Sequence, residues 1–236
     1  MESKGKAVKK ISLVIPAWNE RDGIGKTIRA VPKDILEGMG YRMQILVVDG
    51  NSDDGTIELA REAGADVIIE PRRGYGRAYK TGFAYAEGDI IATADADGTY
   101  PMEDIPRLVS ILEEEKLDFL TTNRFALMEK GVMSFKHKAG NKILAWETKL
   151  LFGLNIKDPE SGMWVFKKDI LDKLRLGSDI WPFSHELKIE ACYFAKCRWK
   201  EVPIQYGVRL GKTKLLGGWK TGFTDLFHII KKRIIR

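Results

Sequence analysis

Two aspartates two residues apart, Asp95 and Asp97, close the apolar run Asp89–Ala94 and are the residues of this chain with the clearest chemical use. Side chains at i and i+2 of a strand point the same way, so both carboxylates can offer oxygens to one hard cation such as Mg²⁺ or Mn²⁺. A cation held there with open positions would bind the two phosphates of a sugar nucleotide and neutralise the charge that develops as the diphosphate leaves. Taken alone, Asp-x-Asp is more often a polar strand end before a turn, here with Gly98 and Pro101 as turn residues. Its neighbours decide between these readings.

The elements that must position the pair follow from hydrophobic patterning. Short apolar runs at Ile11–Ala17, Gln44–Asp49, Asp66–Glu70, Asp89–Ala94 and Asp118–Thr122 read as buried strands. Amphipathic stretches at Gly23–Val31, Gly55–Ala63, Arg77–Ala86 and Met102–Glu114 read as helices, the last opened by Pro101. This alternation predicts an α/β fold with a mainly parallel sheet covered on both faces. The polar segments Pro16–Glu20, Asp49–Asp53 and Asp95–Asp97 each follow a strand, and in such a sheet the carboxyl ends of the strands meet at one crevice.

Beyond about residue 125 the rhythm changes. A helix over Lys136–Leu154, strands at Gly162–Lys167 and Trp199–Tyr206 and a helix around Glu186 extend the same unit, since no Pro/Gly/Ser linker intervenes. The expected organisation is a catalytic domain over 1–215 and a basic amphipathic helix over 216–236, packed on the domain or lying at a membrane interface. In that tail Phe223, Leu226, Phe227, Ile230 and Ile234 form an apolar stripe beside Lys231, Lys232, Arg233 and Arg236.

The 236 residues suit one well-buried domain, and the net charge of +6 suits nucleic acid, an anionic membrane or a phosphorylated substrate. Acidic loops at the sheet mouth suit a polyanion poorly without a metal, so no nucleic-acid partner is expected. Cys192 and Cys197 are too few and ill-spaced for a disulfide framework or zinc site, and no apolar stretch approaches the ~20 residues of a membrane span. The expected location is therefore cytoplasmic. His137, His185 and His228 have no metal-type spacing and read as surface or core-bonded histidines.

In order along the chain, Ile15–Glu20, Val47–Thr56, Arg73–Gly76, Asp95–Pro101, Asn123–Phe125, Asp158–Met163 and Glu201–Ile204 with Arg209–Leu215 resemble the family-2 glycosyltransferases of GT-A fold, within them the dolichyl-phosphate mannose synthase branch. The resemblance implies that Pro16, Ala17, Asn19, Glu20, Asp49, Gly74, Asp95, Ala96 and Asp97 hold the nucleotide-sugar diphosphate. It implies metal ligation by Asp95, Asp97 and Thr99, with Mg²⁺ or Mn²⁺ as cofactor. Arg124, Lys138, Ser161, Arg209 and Lys214 are implied around the acceptor phosphate, with Asp97, Arg124 and Arg209 carrying catalysis. Thr99 stands where the synthases carry Gln, and Gly50 replaces their second acid beside the nucleoside.

The expected reaction is inverting transfer of a hexose, mannose favoured, to dolichyl or polyprenyl phosphate. UDP-glucose or UDP-N-acetylglucosamine as donor, or a saccharide as acceptor, are the alternatives. A lipid acceptor implies peripheral contact with the cytoplasmic face of a membrane, through the tail or the Lys136–Leu154 helix, and leaves room for a membrane-anchoring partner subunit. Gly74-Tyr75-Gly76 would set backbone N–H groups near a phosphate at a helix start. Glu186 reads either as a partner for an arginine or as a surface charge.

Overall fold

The structure, a computed structural model, describes residues 8–129, 131–211 and 218–235. Seven strands form one sheet: β1 (Lys9–Ala17), β2 (Tyr41–Asp49), β3 (Asp66–Ile69), β4 (Ile90–Thr93), β5 (Phe119–Asn123), β6 (Trp164–Lys167) and β7 (Trp199–Pro203). Their order is β3-β2-β1-β4-β6-β5-β7. Only β6 runs antiparallel, wedged between β4 and β5.

The strands are near-continuous apolar runs because helices bury both faces. One face carries α1 (Arg21–Arg29) and α5 (Ile105–Glu114), whose Ile24, Ile28, Leu108 and Leu112 pack on Leu13, Ile15 and Val165. The other carries α4 (Tyr75–Tyr85) and α7 (Phe183–Ile189), whose Tyr79, Phe83 and Phe183 pack on Val14, Phe119 and Trp164. Each such side chain removed from water contributes about 1.5–3 kcal/mol. Two short helices, α2 (Lys33–Gly38) and α3 (Thr56–Glu62), flank the β2 side. The first turn of α5 is shaped by Pro106; Pro101 instead precedes a separate 3₁₀ turn over Met102–Asp104.

Register sets the site. β1 pairs with β2 from Lys9↔Tyr41 to Ala17↔Asp49, and β4 lies beside β1 with Thr93 level with Val14. The segments after β1, β2 and β4 therefore leave the sheet along one edge.

Helix α6 (Phe135–Phe152) and helix α8 (Gly218–Ile235) pack together beside α7. Ser134 caps α6, accepting from the His137 N–H, and Gly153 ends it at φ 69°, a left-handed conformation that glycine adopts without penalty. Of the apolar stripe in the tail helix, Leu226 and Ile230 are half-buried. The helix's inward face runs through Asp225, Ile229 and Lys232, at helical spacing, while Phe227 and Ile234 are exposed. Polar anchoring holds this face: Lys232 pairs with Glu186 and Glu190, and the Arg233 Nε–H donates to the Leu151 carbonyl. Glu186 is thus a buried anchor, and its partners His228 and Lys232 overcome burial to hold its pKa down at about 2.

Candidate active site

The carboxyl edge of the sheet opens into a cleft of about 640 Å³. A wider groove of about 1040 Å³ lies at the opposite, amino ends of the strands, among residues such as Lys9, Gly88 and Lys167. The acidic pair lies in the first of these.

Beyond β4 the chain alternates: Ala94 and Ala96 pack into the core, so Asp95 and Asp97 turn toward the cleft. Gly98 at φ 76° then reverses the chain. Helix α1 comes so close from behind that a Cβ on Gly23 would lie 2.5 Å from the Ala96 carbonyl oxygen. The Tyr75 hydroxyl donates to Asp95 Oδ1 at 3.2 Å, and this approach depends on Gly162, where a Cβ would meet that hydroxyl at 2.5 Å. Enclosure by the cleft walls and the charge of Asp97 push Asp95 up to about 7. Two carboxylates that feel each other's charge in a sheltered cleft favour a cation or a proton between them.

Asp97 is tied in more firmly. Its Oδ1 accepts from the Thr99 N–H at 3.1 Å and the Thr99 hydroxyl at 2.6 Å. Its Oδ2 faces Arg209, which also pairs with Glu20. The segment around Arg209 folds over the acidic loop, with the Gly207 N–H donating to the Thr99 carbonyl at 2.8 Å and the Leu210 N–H to the Asp97 carbonyl at 2.9 Å.

A second constellation lies behind these acids. Arg124, just past β5, gives its Nε and Nη2 hydrogens to Asp158 at 2.8 Å each and lies over the Tyr206 ring at 5.3 Å. Burial opposes both charges, yet each holds the other ionised, Asp158 below and Arg124 well above its ordinary value. Lys188, fully buried, donates to the carbonyls of Asp158, Pro159 and Ser161 at 2.6–2.9 Å. That ammonium fixes the 158–161 turn. Burial draws its pKa down to about 8, against the pull of Asp158 and Glu160.

The sequence-predicted residues divide accordingly. Pro16, Ala17, Glu20, Gly74, Asp95, Ala96, Asp97 and Arg209 all line the cleft. Asn19 does not: at φ 52° it knots the first loop to the second, its amide donating to Asp53 and its N–H to the Ser52 hydroxyl. Asp49 is fully buried and both its oxygens accept from Ser52, so it shapes the loop from below. Thr99, expected as a metal ligand, is buried with its hydroxyl bonded to Asp97, and it reaches the site only through that carboxylate. Ser161, expected at an acceptor phosphate, has no exposure; its hydroxyl pairs with that of Thr122 and its carbonyl also accepts from Trp164 and Ser184. Lys138 lies in the first turn of α6, away from the cleft lining. Lys214 lies outside the described residues.

Other residues line the cleft beside the expected site residues. Arg73 stacks over Trp18 at 4.0 Å, and Trp181 packs on Tyr75 at 4.8 Å between ring centroids. Glu70 accepts from Arg72 Nε at 2.7 Å and from the Thr81 hydroxyl at 2.7 Å. Arg73 and Tyr75 belong to a motif legible in the sequence. Nothing local in the sequence marks Trp181.

A family model for glycosyl transferase family 2 matches residues 12–175. The chain belongs to this family. The glycosyltransferase is 30% identical over 210 residues to the dolichyl-phosphate hexose transferase of Haloferax volcanii, covering 87% of this chain and 86% of that protein. It is 29% identical over 231 residues to the dolichol-phosphate mannosyltransferase of Pyrococcus furiosus, 94% of this chain and 63% of that one. It is also 34% identical over 216 residues to a low-salt glycan biosynthesis hexosyltransferase of Haloferax volcanii, covering 89% of this chain but spanning only 51% of that relative. Among solved structures, glucosyl-3-phosphoglycerate synthase from Mycobacterium tuberculosis, in complex with Mn²⁺, UDP-glucose and phosphoglyceric acid, superposes with a TM-score of 0.75. That match covers 95% of this glycosyltransferase and 79% of the synthase at 22% identity, and it shows the shared GT-A fold.

Proposed function

We propose that this glycosyltransferase moves a hexose, with mannose favoured, from a nucleotide-diphosphate sugar to the phosphate of a dolichyl or polyprenyl lipid, with inversion. The observation that carries the reading is the cleft itself: Asp95 and Asp97 at its floor, Arg209 across them, and Arg72 and Arg73 on its wall. That lining supports recognition of a diphosphate flanked by a flat base. The names of the two lipid-phosphate relatives support the acceptor.

The residues fit a hard divalent cation. Asp95 and Asp97 offer only oxygen donors, and burial with the charge of Asp97 holds Asp95 up at about 7 even with Arg124 and Arg209 nearby, which supports a cation there. Asp95 and Asp97 would hold Mg²⁺ or Mn²⁺, which supplies neutralisation of the departing diphosphate. Arg209 orients the same phosphates through the bidentate geometry of its guanidinium. The Arg73–Trp18 stack forms an amphipathic wall for the nucleoside. Arg124 adds positive potential behind Asp95. An acceptor phosphate is already an anion at neutral pH, so positioning and charge neutralisation replace a dedicated general base.

A lipid acceptor also needs a membrane-facing surface. Along α6, Ile143, Trp146 and Leu150 are 54–65% exposed at i, i+3 and i+7, and Phe135 at its start is 84% exposed. Phe227, Ile234 and Ile235 of α8 are exposed as well. No helix among the described residues is long and apolar enough to cross a membrane. Peripheral contact at the cytoplasmic face through α6 and α8 fits these exposures, with lysines such as Lys142 and Lys149 beside anionic headgroups.

The test is transfer from GDP-mannose, UDP-glucose and UDP-N-acetylglucosamine, with Mg²⁺ or Mn²⁺, to polyprenyl phosphate in anionic vesicles, to phosphoglycerate and to free oligosaccharide. The expected product is a lipid-linked hexose. Transfer confined to phosphoglycerate or to a saccharide hydroxyl overturns the acceptor assignment.

A further inference from the structure

Two acids and a histidine that do not line the cleft form a cluster of their own. Glu160 from the 158–161 turn, His185 from α7 and Asp225 from α8 each offer one ligand atom within 4.8 Å of the others. His185 Nδ1 is 3.4 Å from Asp225 Oδ1 and 3.9 Å from Glu160 Oε1. His185 and Asp225 are 0% and 1% exposed. Apart from a contact between the Glu160 and Asp225 carboxyl groups, no hydrogen-bond partner among the described residues reaches His185 Nδ1 or the oxygens of Glu160 and Asp225. Glu147 of α6, whose buried carboxylate is equally unpartnered, feels the charge of Asp225.

The tautomer of His185 makes this arrangement informative. The Thr148 hydroxyl donates its hydrogen to the Leu144 carbonyl at 2.7 Å, so it accepts from His185 Nε2 at 2.6 Å. The Nε2 nitrogen then carries the proton of a neutral ring, and Nδ1 turns a bare lone pair toward two carboxylates. With both carboxylates ionised, lone pair facing lone pair in a buried site is repulsive, a cost that a bound cation or a proton shared between Glu160 and Asp225 removes. The nearby cations are engaged elsewhere: Lys188 by three carbonyls, Lys232 by Glu186, Glu190 and the Arg175 carbonyl.

One imidazole nitrogen and carboxylate oxygens, with the ring's other nitrogen hydrogen-bonded, form the donor set of a divalent transition metal. In a tetrahedral site with bonds near 2.1 Å, ligand atoms lie roughly 3.4 Å apart, the distance found between His185 and Asp225. Magnesium and calcium prefer sites built from oxygen alone. We propose that Glu160, His185 and Asp225 form a second, structural metal site of the Zn²⁺ class that staples helix α8 to the turn carrying Asp158 and Ser161. The sequence hides it, since its ligands come from three elements separated by 25 and 40 residues and carry no short ligand spacing. The site is independent of the transfer reaction proposed above.

The test uses the full chain carrying Asp97→Asn, so that the cleft acids are weakened as a competing site. After Zn²⁺ loading and desalting, metal analysis is expected to find stoichiometric Zn²⁺, and retention should fall at least about tenfold on adding His185→Gln or Glu160→Gln. Chelation should lower the melting temperature of the Asp97→Asn protein and leave that of the added variants unchanged. To keep the test independent of whether a buried variant folds, Co²⁺ is titrated into the Asp97→Asn protein itself, where the ligand-field absorption of a tetrahedral site with a nitrogen ligand is expected. Absence of Zn²⁺ and of that absorption, as when Glu160 and Asp225 merely share a proton, overturns the proposal. So does full metal retention in folded Glu160→Gln and His185→Gln proteins.

Discussion

Arg209 and Asp97, 112 residues apart in sequence, form an ion pair across the mouth of the cleft, and the same guanidinium reaches Glu20. One arginine thus joins the segments that follow β1, β4 and β7. It sets a positive charge where a departing diphosphate would come to lie.

Arg209→Ala should lower kcat/KM by on the order of 10²-fold, the loss typical of a single group that stabilises developing charge. Arg209→Lys should recover little, because an ammonium cannot bridge two carboxylates or grip phosphate in bidentate fashion. Steady-state kinetics of the two variants check this, and a fully active lysine variant would show that only charge matters.

Gly162, Tyr75 and Asp95 form a chain of dependence. A Cβ at Gly162 displaces the Tyr75 hydroxyl, which donates to Asp95. Gly162→Ala and Tyr75→Phe should therefore lower donor affinity in the same direction, and the double variant should be no worse than the more severe single one. A thermodynamic cycle on nucleotide-diphosphate binding measures the coupling, expected at about 0.5–3 kcal/mol.

Acid stability offers a separate check. Hydrogen bonds from Arg72 and then Thr81 draw Glu70 down from an ordinary 4.5 to about 2. A carboxylate with a depressed folded pKa stabilises the native state fully above its unfolded value and loses that contribution as pH falls through the folded value. The stability difference between wild type and Glu70→Gln should then be largest above pH 4.5 and shrink toward pH 2 in urea titrations. Since Arg72 is 66% exposed, added salt should reduce it.

Much of this architecture is legible in the sequence. The runs ending at Ala17, Asp49 and Ala94 are apolar enough to mark buried parallel strands, and the polar residues after each mark the crevice. What is not legible is how polar side chains divide between facing a ligand and holding the loops. Asp49, Asn19, Thr99 and Ser161 have the residue types of binding groups, but Asn19 and Ser161 are consumed by partners the fold brings in, Asp53 and Thr122, and Asp49 and Thr99 by their sequence neighbours Ser52 and Asp97. Trp181 reaches the cleft from a distant turn that no local pattern links to β3 or β4. The tail helix illustrates the same limit: its apolar stripe leaves packing on the domain and lying at a membrane interface both open, and the ion pairs of Lys232 mark a face that turns inward.

The central claim is that Asp95 and Asp97 bind a divalent cation and a sugar nucleotide for transfer to a lipid phosphate. The most direct measurement is the initial rate of hexose transfer by wild type and Asp97→Asn across a titration of Mn²⁺ or Mg²⁺, with melting temperatures recorded on the same samples. The rate should depend on the cation in wild type and fall by on the order of 10²–10³-fold in the variant, with the fold retained. Undiminished turnover by a folded Asp97→Asn protein would contradict the account.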